Sequence, residues 1–311
     1  MSEIPEFPIP VTLGNTEPTP GAQPWYAEPQ QSIAGIENIV LVASGKGGVG
    51  KSTVTVNLAC ALAQAGKRVG ILDADLYGPS ITRMMGTDRE LPTDADGRTL
   101  PVDNYGVWTV SVGNVLPPEA ALVWKGPLVT QALLQMFHDI AWPELDILLV
   151  DLPPGTGDVP LTILEQIPVT GAVLVTTPQK LSVVDAARGI AMFHDLDIPV
   201  FGIVENMTSY ICPCCGEQQA LFPDGTVSTL AQRKHVRLLG GVPLDPEGQL
   251  LADAGTPLVK SRPEGAVAAA FVGLAAELEA ALEKERIFRA RDSDAEARAE
   301  HEAFWENLLD D

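Results

Sequence analysis

The chain has 311 residues, 46% of them hydrophobic, which is the composition of a globular protein with a substantial core. Its formal net charge of -21 predicts a surface that repels nucleic acid and anionic lipid, so neither is an expected partner. No apolar run approaches the ~20 residues of a membrane-spanning helix. The segment from Met1 to Pro5 lacks the layout of a signal peptide, and a cytoplasmic protein is expected.

The N-terminal segment 1–31 differs in composition from the rest of the chain. It contains seven prolines, four acidic residues and no basic residue. Such a segment cannot build a core, so it is predicted to be a flexible proline-rich arm. One domain is predicted over 32–280, followed by a charged C-terminal helix or tail over 281–311.

From Asn38 onward, short apolar runs alternate with longer helical stretches. The predicted strands are Ile39 to Ala43, Arg68 to Leu72, Val107 to Val112, Ile147 to Val150, Ala172 to Thr176 and Val200 to Val204. The predicted helices are Lys51 to Ala65, 127–138, 182–195 and 265–285. Strands that are apolar throughout, with helices between them, are typical of a parallel sheet. The pattern therefore predicts a single α/β domain with a mostly parallel sheet and helices on both faces.

A glycine-rich loop joins the first predicted strand to the first predicted helix. It consists of Gly45, Lys46, Gly47, Gly48, Val49, Gly50, Lys51 and Ser52. This G-x-x-x-x-G-K-S pattern, in this context, is the phosphate-binding loop of P-loop NTPases, whose backbone N–H groups point at phosphate oxygens. Lys51 is predicted to contact the β- and γ-phosphates, Ser52 to ligate Mg²⁺ and Thr53 to bond the α-phosphate. The loop thus predicts binding of ATP with Mg²⁺.

Aspartates end two of the predicted strands. Asp73 and Asp75 follow the second strand, where two carboxylates cannot be left buried and unpaired. Asp151 ends the fourth strand in a Walker B pattern, which places it to hold Mg²⁺ through water. The next turn contains Gly155, whose N–H is predicted to face the γ-phosphate. Together with the loop, these residues predict a site for ATP hydrolysis.

Three of the four cysteines, Cys212, Cys214 and Cys215, lie within four residues. Clustered thiols in a cytoplasmic protein indicate metal or redox chemistry rather than a disulfide framework. Cys212 and Cys215 have the C-x-x-C spacing that lets two thiolates bind one metal centre, and a second copy of the chain would complete the four thiolates of a [4Fe–4S] cluster. A bridging zinc site and a redox-active pair are the alternatives. Cys60 lies in the apolar register of the first helix and is predicted to be a core residue.

Residues from about 35 to 257 resemble the Mrp-type iron–sulfur cluster carrier ATPases, a branch of the MinD/ParA-type group. The stretches that carry the resemblance are 42–53, 73–80, 124–127, 150–158, 176–179 and 205–207 with the cysteine loop after it. It implies a homodimer that binds a labile [4Fe–4S] cluster between its subunits. It also implies that the cluster comes from an assembly scaffold and passes to apo-proteins, supported by ATP hydrolysis.

The resemblance also implies roles for individual residues. Lys46 matches the signature lysine of deviant Walker A loops, which reaches across a dimer interface to the partner's nucleotide. Asp75 matches the residue that orients the attacking water, so Lys46, Lys51 and Asp75 are the implied catalytic residues. Asp73 is implied in the Mg²⁺ environment. The implied adenine site contains Asn206, Pro243 and Asp245.

Two positions depart from the family's pattern. Cys214 stands where a cysteine is unusual, and Lys125 stands where an arginine is commoner. One rival function is a partitioning or cell-division ATPase of the same fold group, but this would require a basic surface and leaves the cysteines unexplained. The other rival is a non-catalytic scaffold that binds a cluster or zinc and uses ATP only as a conformational ligand.

Overall fold

The structure is a computed structural model that describes residues 33–292 except 76–77, 116–125, 213 and 223–224. The predicted arm 1–31, Lys125 and the segment 293–311 lie outside the described residues, so those predictions stand as predictions. The rest forms one sheet with helices packed on it.

The described strands and helices alternate along most of the chain. The strands are β1 (Ile36–Ala43), β2 (Val69–Asp73), β3 (Val102–Asn104), β4 (Val107–Ser111), β5 (Leu145–Asp151), β6 (Gly171–Thr176), β7 (Val200–Ile211), β8 (Gln218–Ala220) and β9 (Leu238–Leu244). The helices are α1 (Lys51–Gln64), α2 (Ile81–Met85), α3 (Val112–Val115), α4 (Gly126–His138), α5 (Asp158–Gln166), α6 (Lys180–Asp195), α7 (Thr226–Arg233), α8 (Gly248–Asp253), α9 (Leu258–Ser261) and α10 (Ala266–Asp292).

The strands form a nine-stranded sheet in the order β3-β4-β2-β5-β1-β6-β7-β8, with β9 also paired to β7. The pairs in the middle of the sheet are parallel, and β3 and β8 add antiparallel pairs at the two ends. Because the carboxyl ends of parallel strands meet at one edge, the segments that follow β1, β2 and β5 lie side by side. The register places Asp73 opposite Asp151 and Asp151 beside Val42.

Side chains of the central strands alternate between two apolar layers. In β1, Leu41 points to a core formed with α4, α5, α6 and α7, whereas Val40 and Val42 point to a core formed with α1, α9 and α10. This period of two is the geometry of an extended strand. Burial on both faces explains why these strands contain few polar residues, and the predicted α/β fold is confirmed.

The predicted and observed strands differ most in β7 and β9. The sixth predicted strand ends at Val204, but the corresponding β7 continues to Ile211, through Met207 with a left-handed φ of 58°. β9 was not predicted, because Gly240, Gly241 and Pro243 are poor strand formers. β9 pairs with β7 alone among the described strands, and a proline is tolerated at such an edge.

Helix α10 is continuous from Ala266 to Asp292, so the predicted boundary at 280–281 lies inside it. Ala281 and Leu282 are still buried in the core that α10 shares with α1. None of the helices in the described part of the chain is long and apolar enough to span a membrane.

Candidate functional site

The glycine-rich loop forms the wall of a cavity of about 180 Å³ at the carboxyl edge of the sheet. Gly48 and Gly50 adopt left-handed φ values of 79° and 82°, which curl the backbone before α1 begins. The predicted residues that line this cavity are Lys46, Gly47, Gly48, Gly50, Lys51, Ser52, Thr53 and Asp75. Ser44, Ser80, Met84 and Pro154 complete the lining. Gly45 and Val49 do not line the cavity, and Val49 is buried in the core beside α1, but the other loop residues predicted from sequence are brought together around one concave site.

The carboxylate of Asp151 is contacted by two residues of the loop, Lys51 and Ser52, and none of its side chain is exposed. Its Oδ2 lies 2.6 Å from Lys51 Nζ and accepts a hydrogen bond from Ser52 Oγ at 2.6 Å. Its Oδ1 accepts from Thr55 Oγ1 at 2.6 Å, a contact that sequence reasoning missed. Lys51 Nζ also lies 3.6 Å from Asp75 Oδ2, so two carboxylates balance the buried cation.

Asp73 lies deeper than Asp75 and does not line the cavity. Its carboxylate accepts hydrogen bonds from Ser111 Oγ at 2.8 Å and from the backbone N–H groups of Asp75 and Ile81 at 3.1 and 3.3 Å. Burial, and then the charge of Asp151, raise the pKa of Asp73 to about 7. Asp73 thus fixes the start of the segment that carries Asp75.

Gly155 lies beside the loop, with a left-handed φ of 95°. Its N–H donates to the carbonyl of Ser44 at 2.8 Å, so in this structure the donor predicted to face a γ-phosphate is already bonded. Pro154 is the residue of this turn that lines the phosphate cavity. The turn after β5 therefore lies against the strand that leads into the loop.

A second cavity, of about 190 Å³, adjoins the first at Gly50 and Thr53. It is lined by all three predicted adenine residues, Asn206, Pro243 and Asp245. Asn206 is 7% exposed and donates from Nδ2 to the carbonyl of Val49 at 2.8 Å. The cavity has apolar walls and a few polar groups, which is the usual character of a base-binding pocket.

Two contacts around these cavities were not predicted. Asp245 is paired with Arg262, with 3.2 Å between Oδ2 and Nη1. Lys46 is half-buried and its Nζ lies 3.4 Å from Gln179 Oε1 at the start of α6. Gln179 belongs to the stretch 176–179 but lies 133 residues from Lys46, and Arg262 lies 17 residues after Asp245, so neither pairing could be predicted from the local sequence.

The cysteine loop is the turn of the hairpin formed by β7 and β8. The Cys212 N–H donates to Glu217 O at 2.9 Å, and the Gly216 N–H donates to Cys212 O at 2.8 Å. Cys212 is half-buried, whereas Cys214 and Cys215 are exposed. Backbone hydrogen bonds from Cys215 and then Cys214 lower the pKa of the Cys212 thiol, which favours the thiolate that binds metal.

The described part of one chain does not form a complete metal site. No group of three or more His, Cys, Asp or Glu side chains among the described residues is arranged to hold a metal ion. Cys60 is fully buried, and burial raises its pKa to about 12, so its assignment to the core is confirmed. The hairpin alone presents thiols at the surface.

The chain is similar in sequence and in structure to several known proteins. The sequence is 48% identical over 254 residues to the iron–sulfur cluster carrier protein of Escherichia coli strain K12. This alignment covers 81% of this chain and 69% of the relative. A nucleotide-binding protein from Archaeoglobus fulgidus, solved in complex with ADP, superposes with a TM-score of 0.62 and 39% identity, covering 71% of this chain and 87% of that one. The cell division ATPase MinD of Pyrococcus furiosus superposes with a TM-score of 0.60 and 26% identity, over 78% and 98% of the two chains.

A family model described as ParA, the NUBPL iron-transfer P-loop NTPases, matches residues 35–279. The match spans both cavities and the cysteine hairpin, and it confirms the resemblance inferred from the motifs. The chain therefore belongs to this family of iron-transfer P-loop NTPases.

Proposed function

We propose that this chain binds and hydrolyses ATP, and that two copies carry a [4Fe–4S] cluster between them for transfer to apo-proteins. The observation that carries this proposal is the course of β7. The strand supplies Asn206 to the proposed base pocket and ends at the hairpin that presents Cys212 and Cys215. One element thus joins a nucleotide site to a pair of thiols, and iron–sulfur carriers are named among the relatives.

The two adjoining cavities support a nucleotide with its phosphates over the loop and its base beside Asn206. Backbone N–H groups of the glycine loop and the N-terminus of α1 offer donors and positive potential to phosphate oxygens. In this arrangement the Lys51 ammonium group leaves the Asp151 carboxylate and pairs with the phosphates instead. Asp151 then keeps a carboxylate oxygen for the metal.

The residues at the edge of the phosphate cavity fit Mg²⁺. Ser52 Oγ and Asp151 Oδ2 are 2.6 Å apart, and hydroxyl and carboxylate oxygens are the ligands this ion prefers. When bound, the ion neutralises charge that develops on the β- and γ-phosphate oxygens. Asp75 lines the same cavity and is proposed to orient the attacking water.

Two features support a second copy of the chain as the partner. Four thiolates hold a [4Fe–4S] cluster, and the C-x-x-C pair of one hairpin supplies two of them. Lys46 lies at the rim of the phosphate cavity, beside the start of α6. We propose that Lys46 reaches the partner's nucleotide in the dimer, so that ATP and cluster are both shared between copies. The delivery of the cluster to apo iron–sulfur proteins, and its receipt from an assembly scaffold, are part of this proposal.

Anaerobic reconstitution of the full chain with ferrous iron and sulfide tests the carrier function. We expect about four irons and four sulfides per two chains, with the absorption of a [4Fe–4S] cluster. Cys212→Ser and Cys215→Ser are expected to lose the iron, whereas Cys214→Ser is the matched control in the same turn and is expected to keep it.

Iron, sulfide and zinc contents are measured on the same samples as the molecular mass. Stoichiometric zinc without a cluster in the unaltered protein would remove the carrier function and leave the nucleotide site intact. Equal loss of iron in all three variants would overturn the assignment of Cys212 and Cys215 as the ligand pair.

A further inference from the structure

Thr55 lies one helical turn after Lys51 in α1, and its side chain is fully buried. Its hydroxyl oxygen is 2.6 Å from Asp151 Oδ1 and 3.1 Å from the carbonyl of Lys51. A hydroxyl has one proton to donate. The shorter contact, with a charged acceptor, is the stronger of the two, so Thr55 donates to Asp151.

The two oxygens of Asp151 have different kinds of partner. Oδ2 contacts Lys51 and Ser52, and both of these line the phosphate cavity. Both are therefore drawn toward phosphate and metal when a nucleotide binds. Thr55 does not line that cavity, and it contacts the other carboxylate oxygen, Oδ1. The Thr55 hydrogen bond is thus the one that nucleotide binding leaves in place.

We propose that Thr55 is a positioning residue that fixes the plane of the Asp151 carboxylate so that Oδ2 faces the Mg²⁺ of the bound nucleotide. This inference rests on the proposed MgATP site. Without the hydroxyl, the carboxylate keeps no side-chain hydrogen-bond donor among the described residues once Lys51 and Ser52 turn to the ligand, and it is free to rotate about its terminal torsion. Partners that orient a metal ligand in this way typically change metal affinity by about 10–100-fold when they are removed.

The experiment compares Thr55→Val, which removes the hydroxyl at nearly constant shape, with Thr55→Ser, which keeps it. ADP binding to the full chain is measured calorimetrically in EDTA and then across a MgCl₂ titration. For Thr55→Val we expect about a 10–100-fold increase in the Mg²⁺ concentration that half-restores tight binding. ADP affinity in EDTA is expected to change less than about threefold, and Thr55→Ser is expected to follow the unaltered protein.

The outcomes separate this inference from the proposal on which it rests. If the unaltered protein binds ADP equally well with and without Mg²⁺, the proposed MgATP site fails. If it depends on Mg²⁺ and Thr55→Val shows the same dependence, the role of Thr55 is overturned. An equal loss of ADP affinity in EDTA and in Mg²⁺ would show a merely structural role and would also overturn it. Thr55→Ala is measured in the same way if the valine variant does not fold.

Discussion

Gly50, the residue before α1, has a left-handed backbone conformation and also lies against the side chain of Asn206. Its φ and ψ are 82° and 27°, and a Cβ at this position would lie 2.3 Å from Asn206 Nδ2. Gly50→Ala therefore has two costs. A non-glycine residue in the left-handed region costs roughly 1–2 kcal/mol. Asn206 must also move away and give up its hydrogen bond to Val49, which costs about 0.5–1.5 kcal/mol. The expected loss of stability is about 2–3 kcal/mol.

Gly66 provides the matched control, because it has a φ of 89° and no atom within 4 Å of an added Cβ. Gly66→Ala carries the backbone cost alone, so urea unfolding is expected to show Gly50→Ala as about 1 kcal/mol more destabilising. In an Asn206→Ala background the clash is gone, and this extra cost should disappear. An equal effect of the two glycine substitutions in both backgrounds would refute the contact between Gly50 and Asn206.

Two further predictions concern Asp73 and Asp75, at the carboxyl end of β2. Asp75→Asn is expected to lower the rate of phosphate release from ATP by about 10²-fold, because we propose that this carboxylate assists the attacking water. ADP binding is expected to be retained. A rate equal to that of the unaltered protein would favour a non-catalytic scaffold. For Asp73 the pKa is raised on folding to about 7 from an ordinary value of 3.8, so the folded state holds a proton that the unfolded state releases between these values. The unaltered protein therefore loses stability as the pH rises through that window, whereas Asp73→Asn has no carboxyl group to titrate at this position. In thermal unfolding, the stability of Asp73→Asn relative to the unaltered protein should rise between pH 5 and pH 7. A difference in stability that stays constant over this range would contradict the raised pKa.

Most of the residues around the glycine-loop cavity could be predicted from the sequence, because the signals for them are local. Gly45 to Ser52 lie in one stretch between a strand and a helix, and Asp151 ends an apolar strand. The partners of these residues could not be predicted, because they depend on the register of the folded sheet. Thr55 and Asp151 are 96 residues apart, and Lys46 and Gln179 are 133 apart. The sequence around Thr55 does not distinguish it from a helical threonine whose hydroxyl bonds only to the carbonyl four residues earlier.

The edge of the sheet beyond β6 was less predictable than its centre. Central strands are buried on both faces and appear as continuous apolar runs, whereas β7 becomes half-buried and polar after Val204. Pairing with β8 and β9 extends this strand to Ile211 although its sequence lacks the apolar run. The cavity beside Asn206 and the cysteine hairpin therefore lie where tertiary pairing, and not local propensity, decides the structure.

The course of β7 also limits how a nucleotide can act on the cysteines. From Asn206 to Cys212 the chain advances six residues, at most about 20 Å at about 3.3 Å per residue in an extended strand. The ladder between β7 and β9 shifts register between Asn206 and Tyr210, where Met207 takes its left-handed conformation. The hairpin is thus joined to the base pocket through a break in the ladder and not through a regular strand. In the proposed dimer, an effect of ATP on the cluster would therefore travel through this interrupted segment or through the arrangement of the two copies.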